Sequence, residues 1–300
     1  MIINIDENDE AKRLDIFLAQ VLDFTRSKIQ SSIKSGDVAV NGKNVKPSYQ
    51  LKEGDILNIE LKEAQELKIE PENIPLDIVF ENDDIAIINK PSGMLTHPSA
   101  NEKSGTLVNA LLFKYGENLS DLNGDFRRGI VHRLDRNTSG LLVIAKNNLA
   151  HEYLANLIKN HQIIKKYRAI LKGKYPLDED VIDLPIGRCP SNPIKMAVVA
   201  GAKDSITKLK VIERFKGATY VELTLITGRT HQIRVHTSFK GFPVFNDTLY
   251  GAGMANVKTQ EQVLQSYYLN FQYNSETIEI EIPPDEKIEK VLRYLKGQQI

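Results

Sequence analysis

The residues best able to do chemistry are gathered in one stretch, Gly129-Ile-Val-His132-Arg133-Leu-Asp135-Arg136-Asn137-Thr138-Ser139-Gly140-Leu-Leu-Val-Ile-Ala145-Lys146. A charged loop lies there between two apolar runs. Ile130 and Val131 read as the end of one strand, and Leu141 to Ala145 as a buried strand. The intervening Asp-Arg-Asn-Thr-Ser-Gly is dense in turn formers, so Asp135 sits at a turn. Its carboxylate has two readings. It can bond the backbone amides of its own turn, as loop aspartates commonly do. Alternatively, with Arg133 and Arg136 beside it, it is a nucleophile or base kept ionised by positive charge, among donors suited to a phosphate-rich substrate.

Two other groups carry chemistry. Ile164-Lys165-Lys166-Tyr167-Arg168-Ala169 reads as a strand with one aromatic among three cations. Base stacking inside a basic groove requires that pairing, and a core tyrosine is the alternative. Thr227-Gly-Arg229-Thr230-His231-Gln-Ile-Arg234-Val-His236 gathers two arginines and two histidines at a strand-to-helix turn. Thr230 is expected to cap a helix from His231 to Phe239, with Arg229 and Arg234 near its start, an arrangement that binds anions. A metal site on His231 and His236 is a weak reading: five-residue spacing suits one helical face poorly, and no third ligand is linked to the motif. No Gly-rich phosphate loop, Ser-His-Asp order or Cys-His pairing stands out. His97, in the proline-bounded loop Asn89-Lys90-Pro91 to Pro98, is read as structural.

Elements must hold these residues in place. Three hundred residues point to a main body with an appended module, and 41% apolar with 26% charged residues describe a soluble globular chain. No segment has the length of uncharged apolar sequence that a membrane span needs, the start lacks a signal peptide's basic region, and Cys189 is the only cysteine. A cytoplasmic protein without disulfide or Cys-cluster metal site is expected. Net charge is zero, but residues 91–175 hold 13 Lys/Arg against 6 Asp/Glu, while 61–90 hold 3 against 8. A basic block around Asp135 suits an active-site face that meets a polyanion.

In order, two short amphipathic helices are expected over 11–22 and 25–35, then a hairpin at Asn41-Gly42, a turn at Glu53-Gly54-Asp55 and a strand at 56–60. Residues 61–75 read as a charged, proline-punctuated linker. Next come a hairpin around Glu81 to Asp84, a helix from Ser104 (as cap) to Tyr115, a helix over 148–160, and extended loops over 176–205. Strands at 206–214, 219–226 and 277–282 follow, with a closing helix over 283–295.

Arg13-Leu-Asp15, Ser27, Ile33, Gly36-Asp-Val-x-Val-Asn-Gly and Gly54-Asp55 resemble the small RNA-binding domain first described in a ribosomal small-subunit protein. On that resemblance Arg26, Lys28, Lys34 and Lys43 contact phosphates, and residues 1–60 form a small α/β RNA-binding domain. His132-Arg-Leu-Asp-x-x-Thr-Ser-Gly-Leu-Leu, Lys166-Tyr-x-Ala and Thr227-Gly-Arg-Thr-His-Gln-Ile-Arg-Val-His are similar to the three signatures of RluA/RluD-type pseudouridine synthases. Asn89-Lys-Pro-x-Gly and Pro98 agree, and the likeness spans nearly the whole chain.

The resemblance implies an α+β fold, with a mixed, mainly antiparallel catalytic sheet and flanking helices over 76–300. It makes Asp135 the catalytic carboxylate, Tyr167 the ring stacked on the target uracil and Arg234 the partner of Asp135. Arg133 fills the space the base leaves, and Arg136 and Arg229 contact RNA. The hydroxyl of Tyr167 is also placed to take a proton from carbon 5 of uracil. Turning uridine into pseudouridine adds and removes no atoms, so neither cofactor nor metal is called for. Asp135 serves by covalent attack or by removing a sugar proton. Ribosomal RNA of the large subunit is the first expected partner and transfer RNA the second, and a monomer is expected. The rival class is a non-catalytic RNA-binding or ribosome-assembly factor. Two departures from the family pattern stand out, Asn137 and Asn246-Asp247. Neither is expected to touch the three signature roles, and the second bears on specificity through a substrate-facing loop.

Overall fold

The computed structural model describes all residues except 23, 25, 61–68, 100, 252–260 and 298–300, with the side chains of 27 and 28 also outside the description. Two compact units result, Met1–Lys68 and Ile69–Ile300. The first contains β1 (Ile2–Asn4), α1 (Leu14–Val21), α2 (Arg26–Ser35), β2 (Val38–Val40) and β3 (Ile56–Ile59), with the sheet ordered β1-β3-β2 and antiparallel throughout. The helical period brings Leu14, Phe17 and Leu18 of α1 and Ile29 and Ile33 of α2 onto one core with Val38, Val40, Leu57 and Ile59. Each such burial contributes about 1.5–3 kcal/mol, enough in sum to hold a small module. The hairpin expected at Asn41-Gly42 forms: both residues have positive φ (51° and 73°), and Val40 and Lys43 exchange two backbone bonds of 2.9 Å. Asp15 is fully buried under Arg13, Gln30 and Arg26, which hold its carboxyl below the usual carboxylate range.

The second unit runs β4 (Ile78–Glu81), β5 (Ile85–Lys90), α3 (Leu107–Tyr115), β6 (Ser139–Ala145), α4 (Asn148–Lys159), β7 (Ile164–Lys172), β8 (Glu179–Asp183), β9 (Ile186–Arg188) and β10 (Met196–Val198). It continues through β11 (Ile206–Phe215), β12 (Ala218–Leu225), α5 (Gln232–Phe239), β13 (Leu264–Tyr273), β14 (Glu276–Glu281) and α6 (Glu286–Gly297). Eight strands follow the order β4-β5-β6-β13-β7-β12-β11-β8, and β14 adds to β13 as the ninth. All of these pairings are antiparallel except β6 with β13, so the sheet is mixed and mainly antiparallel. The period-two alternation of β5 and β6 splits their side chains between two cores. Ile88, Leu142 and Ile144 face α3, whereas Ile85, Leu141 and Val143 face α4. With both faces covered, all of β6 is buried, which is why it reads as a continuous apolar run.

Several expectations are corrected. Strand β13, at the centre of the sheet, was not anticipated. Residues 176–205 are not loops throughout, since they hold β8, β9 and β10. Ile130 makes only an isolated bridge to Ile144, so no strand ends there. The cap of α3 is Thr106, not Ser104: Thr106 and Asn109 form a capping box in which each side chain serves the other's backbone. The linker expected over 61–75 shortens. Residues 61–68 lie outside the description, but Ile69 is in the core of the second unit, Glu72 accepts from Gly105 N at 3.0 Å, and Asn109 Nδ2 donates to Glu70 O at 2.8 Å.

Candidate active site

The Asp135 loop is fixed through four successive carbonyl groups. Leu134 O accepts from Thr96 Oγ1 at 2.9 Å, and Asp135 O accepts from Thr138 N at 3.1 Å, closing the expected turn. Arg136 O takes Lys90 Nζ and Gly93 N, both at 3.0 Å. Asn137 O takes Ser92 Oγ at 2.8 Å and Lys287 Nζ, from α6, at 3.1 Å. Lys90 has no exposed surface; its ammonium also donates to Pro91 O and Met94 O, both at 2.8 Å, and burial beside Lys287 pushes its pKa down to about 7. The loop therefore emerges from a rigid base of donors, as a reacting group requires.

Gly140 completes this placement. It has φ +108°, and a Cβ there would stand 1.9 Å from the carbonyl oxygen of Ser266, so only glycine lets β6 start against β13. Ser266 pairs with Gly140 on one side and with Tyr167 on the other. Tyr167 thus lies in the same row of the sheet as the end of the Asp135 loop, and the two side chains line one cleft of about 500 Å³.

Within the cleft the Asp135 carboxylate is 17% exposed, and Oδ2 accepts from Arg234 Nη1 at 2.9 Å. No bond to the amides of its own turn is present among the described residues, so the reading of Asp135 as an Asx-turn residue does not hold. Arg234, on α5, is itself fixed from behind: Nε and Nη2 donate to Oδ2 and Oδ1 of Asp247 at 2.7 and 3.0 Å, and its plane lies over the Tyr250 ring. This fork uses the guanidinium's planarity, since two donors anchor it and the third is left to point at Asp135. Asp247 is 1% exposed and also accepts from Leu249 N and Tyr250 N at 3.0 and 3.1 Å. The expectation that Asn246-Asp247 stays clear of the signature roles is wrong, because Asp247 orients Arg234.

The other oxygen, Oδ1, faces His231 Nε2 at 3.9 Å. Met196 N donates to the Tyr250 hydroxyl at 2.7 Å, and that hydroxyl lies 2.8 Å from His231 Nδ1. That bond engages Nδ1 in either tautomer, so Nε2 is the ring nitrogen left facing Asp135. Burial lowers the His231 pKa, in keeping with a neutral ring. His231, at φ +57°, is the N-cap of α5 in place of Thr230, and the turn before it is held by Gln232 Oε1, which accepts from Thr227 Oγ1 and Arg229 N. His236 is fully buried and bonded to Thr207 Oγ1 and Leu184 O at 2.9 Å, away from His231, so the metal pairing does not form.

Tyr167 is 6% exposed and its hydroxyl is hydrogen-bonded to Ser266, whose own hydroxyl donates to Leu141 O at 3.1 Å. Burial raises the phenol's pKa well above its ordinary value, so it stays protonated through the neutral range. Arg133 is exposed on the cleft wall, and Arg229 lines the cleft while Nε donates to Asp204 O at 3.0 Å. Arg136 is not brought to the carboxylate; it turns outward to pair with Glu102. In the first unit Arg26 is engaged with Asp15, Lys34 lies beside Arg13 and Lys46 in a shallow groove, Lys43 is exposed on its turn, and the side chain of Lys28 lies outside those described. Sequence reasoning missed Asp247, Lys90, Tyr250 and Lys287. For Lys90 a signal was present, since a lysine inside an apolar strand has to find acceptors.

The family model for RNA pseudouridylate synthase matches residues 84–239, and that for the S4 domain matches 12–57. An RNA pseudouridine synthase of Bacillus subtilis is 39% identical, covering 98% of this chain and 97% of its own. A ribosomal large subunit pseudouridine synthase D of Neisseria meningitidis is 38% identical, covering 95% of this chain and 79% of its own. Human RNA pseudouridylate synthase domain containing 1 shares the fold, with a TM-score of 0.59 and 24% identity over 75% of this chain and 96% of the human one. The catalytic sheet, the cleft built on it and these matches along nearly the whole sequence agree: the chain belongs to the RNA pseudouridine synthase family.

Proposed function

We propose that this enzyme isomerises specific uridines of large-subunit ribosomal RNA in the cytoplasm, with Asp135 as the catalytic carboxylate and the S4 domain as a separate RNA grip. The observation that carries the reading is the convergence of Asp135, Arg234 and Tyr167 on one cleft from three distant parts of the sequence. The substrate class rests on relatives named for the ribosomal large subunit.

The reaction breaks the bond from sugar carbon 1 to uracil nitrogen 1, turns the base and joins carbon 1 to carbon 5. Nitrogen 1 ends with a proton and carbon 5 loses one, so atoms balance within the nucleotide. The target must first leave its helix, and Arg133 at the cleft mouth is placed to hold the vacated space. Asp135 acts through Oδ1, either on carbon 1 or on a sugar proton, because Oδ2 is held by Arg234. The Tyr167 ring supports the detached uracil. Its hydroxyl can take the carbon-5 proton only as the phenolate, after giving its own proton to solvent; burial opposes that ionisation and the bond with Ser266 favours it. Asp135→Asn is expected to abolish pseudouridine formation while RNA binding persists, measured on ribosomal RNA mapped with and without the enzyme. Wild-type turnover in that variant would refute the assignment.

A further inference from the structure

Lys165 is 8% exposed, yet no carboxylate, carbonyl or hydroxyl among the described residues accepts from its ammonium. The other lysines set into this unit are not left so. Lys90 donates to three carbonyls, and Lys287 to Ser92 Oγ and two carbonyls. A buried charge without a counter-charge is costly, so its presence points to a partner that arrives from outside. Lys165 lines the same cleft as Asp135, and its Nζ would lie 3.7 Å from a Cβ placed on Gly228, so the glycine leaves the ammonium open on that side.

The partner's charge and position follow from the cleft. Its lining holds Arg133, Lys159, Lys165, Arg229 and Arg234 against one carboxylate, Asp135, and only Arg234 is neutralised there. Lys165 and Tyr167 alternate onto one face of β7, roughly 6.6 Å apart along the strand. That is a reach comparable to the one between a base and the phosphate of its own nucleotide. A neutral base edge offers Lys165 only a dipole, whereas a phosphodiester offers a full charge.

We propose that Lys165, with Lys159 and Arg229 at the rim and Gly228 leaving the approach open, is an anion subsite that takes the phosphodiester flanking the target uridine. It rests on the RNA-isomerase reading above. The subsite holds the strand while Tyr167 holds the base, so it sets affinity and register and leaves the chemical step to Asp135.

The test uses a stem-loop carrying a uridine that the wild type modifies, made with ordinary phosphates or with an uncharged methylphosphonate on the 5′ or the 3′ side of that uridine. Lys165→Met is expected to raise KM by about tenfold or more with kcat within about twofold, and to reduce the slope of log affinity against log salt by about 0.7–0.9. Lys165→Arg stays close to wild type. A methylphosphonate on one flank costs the wild type the same factor and costs Lys165→Met nothing. Thermal unfolding of Lys165→Met is at or above the wild-type temperature, because the variant loses an unpaired buried charge and keeps an apolar stem.

A fall in kcat at constant KM would assign the ammonium to the base and overturn the proposal. Methylphosphonate penalties that are equal in wild type and variant, or a Lys165→Met protein that melts earlier, overturn it as well. In each of these cases wild-type activity leaves the functional reading intact. A wild type that modifies no RNA overturns both.

Discussion

Asp247→Asn tests whether the site depends on how Arg234 is held or only on its presence. Asp247 accepts two bonds from Arg234, at 2.7 and 3.0 Å, and two from backbone amides, at 3.0 and 3.1 Å. Asparagine keeps the shape and one acceptor oxygen, which serves the amides, but turns an amino group towards the guanidinium. One arm of the fork is lost, and Arg234, 8% exposed, must share its charge with Asp135 alone. Removing one partner of a buried pair costs about 3–5 kcal/mol, and the retained acceptor places this variant near the lower figure. At about 2–4 °C per kcal/mol for a domain of this size, Tm falls by roughly 6–12 °C. With one arm gone the guanidinium is free to pivot about the other and draws the Asp135 carboxylate out of line, for which a loss of about a hundredfold in kcat is expected. KM should change little, because the remaining cleft cations are untouched. Carbon 5 loses its hydrogen in the reaction, so tritium release from RNA labelled there gives the rate, and differential scanning calorimetry gives Tm. A lowered Tm with kcat within about twofold of wild type would refute the reasoning.

Tyr167→Phe keeps the ring and removes the hydroxyl that lies between the cleft and Ser266. RNA affinity should hold while kcat falls by about 10²–10⁴; an unchanged kcat would reduce Tyr167 to a stacking surface. Stability should fall in acid. Burial pushes His97 down to about 4 and His132 to about 3, both from 6.5, so between pH 6.5 and those values the unfolded chain binds protons that the folded one refuses. Stability is therefore fully present above 6.5 and is lost as pH drops below it. From pH 7 to pH 5 each of the two histidines accounts for about 2 kcal/mol. His97→Gln and His132→Gln should each flatten this dependence, and equal slopes in denaturant titrations of variant and wild type would exclude these histidines as its source.

How much was legible follows from which elements carry periodic signals. Strand β6 and helix α4 declare themselves because their apolar residues recur at the spacing of their own faces, and Asn41-Gly42 because both residues suit positive φ. Strand β13, Leu-Gln-Ser-Tyr-Tyr-Leu-Asn-Phe-Gln-Tyr, hides because its buried positions include Gln265 and Ser266. They are polar because they bond to neighbours distant in sequence, Gln265 Nε2 to Pro283 O at 2.9 Å and Ser266 Oγ to Leu141 O at 3.1 Å. The central strand is thus the one whose pattern is set by tertiary partners, and period alone cannot find it. The caps at Thr106 and His231 were displaced by one or two residues for a related reason, since Thr106 is selected by Asn109 within its own turn and His231 by Tyr250 from the segment after α5.

The same distinction separates the residues of the site. Asp135, Tyr167 and Arg234 lie in compact signatures, and compact signatures are what a single sequence displays. Their supports do not. Lys90 comes from β5, Asp247 from the segment after α5, and Lys287 from α6, and each acts by filling the bonding capacity of a signature residue or of its loop. A backbone carbonyl or a guanidinium does not specify in sequence which residue will satisfy it; only the folded sheet brings donor and acceptor within 3.1 Å. Lys165 differs from all of these, because its bonding capacity is left unfilled by the chain. Where the fold satisfies Lys90 and Lys287 and leaves the ammonium of Lys165 bare at the wall of a cationic cleft, the missing acceptor belongs to the substrate.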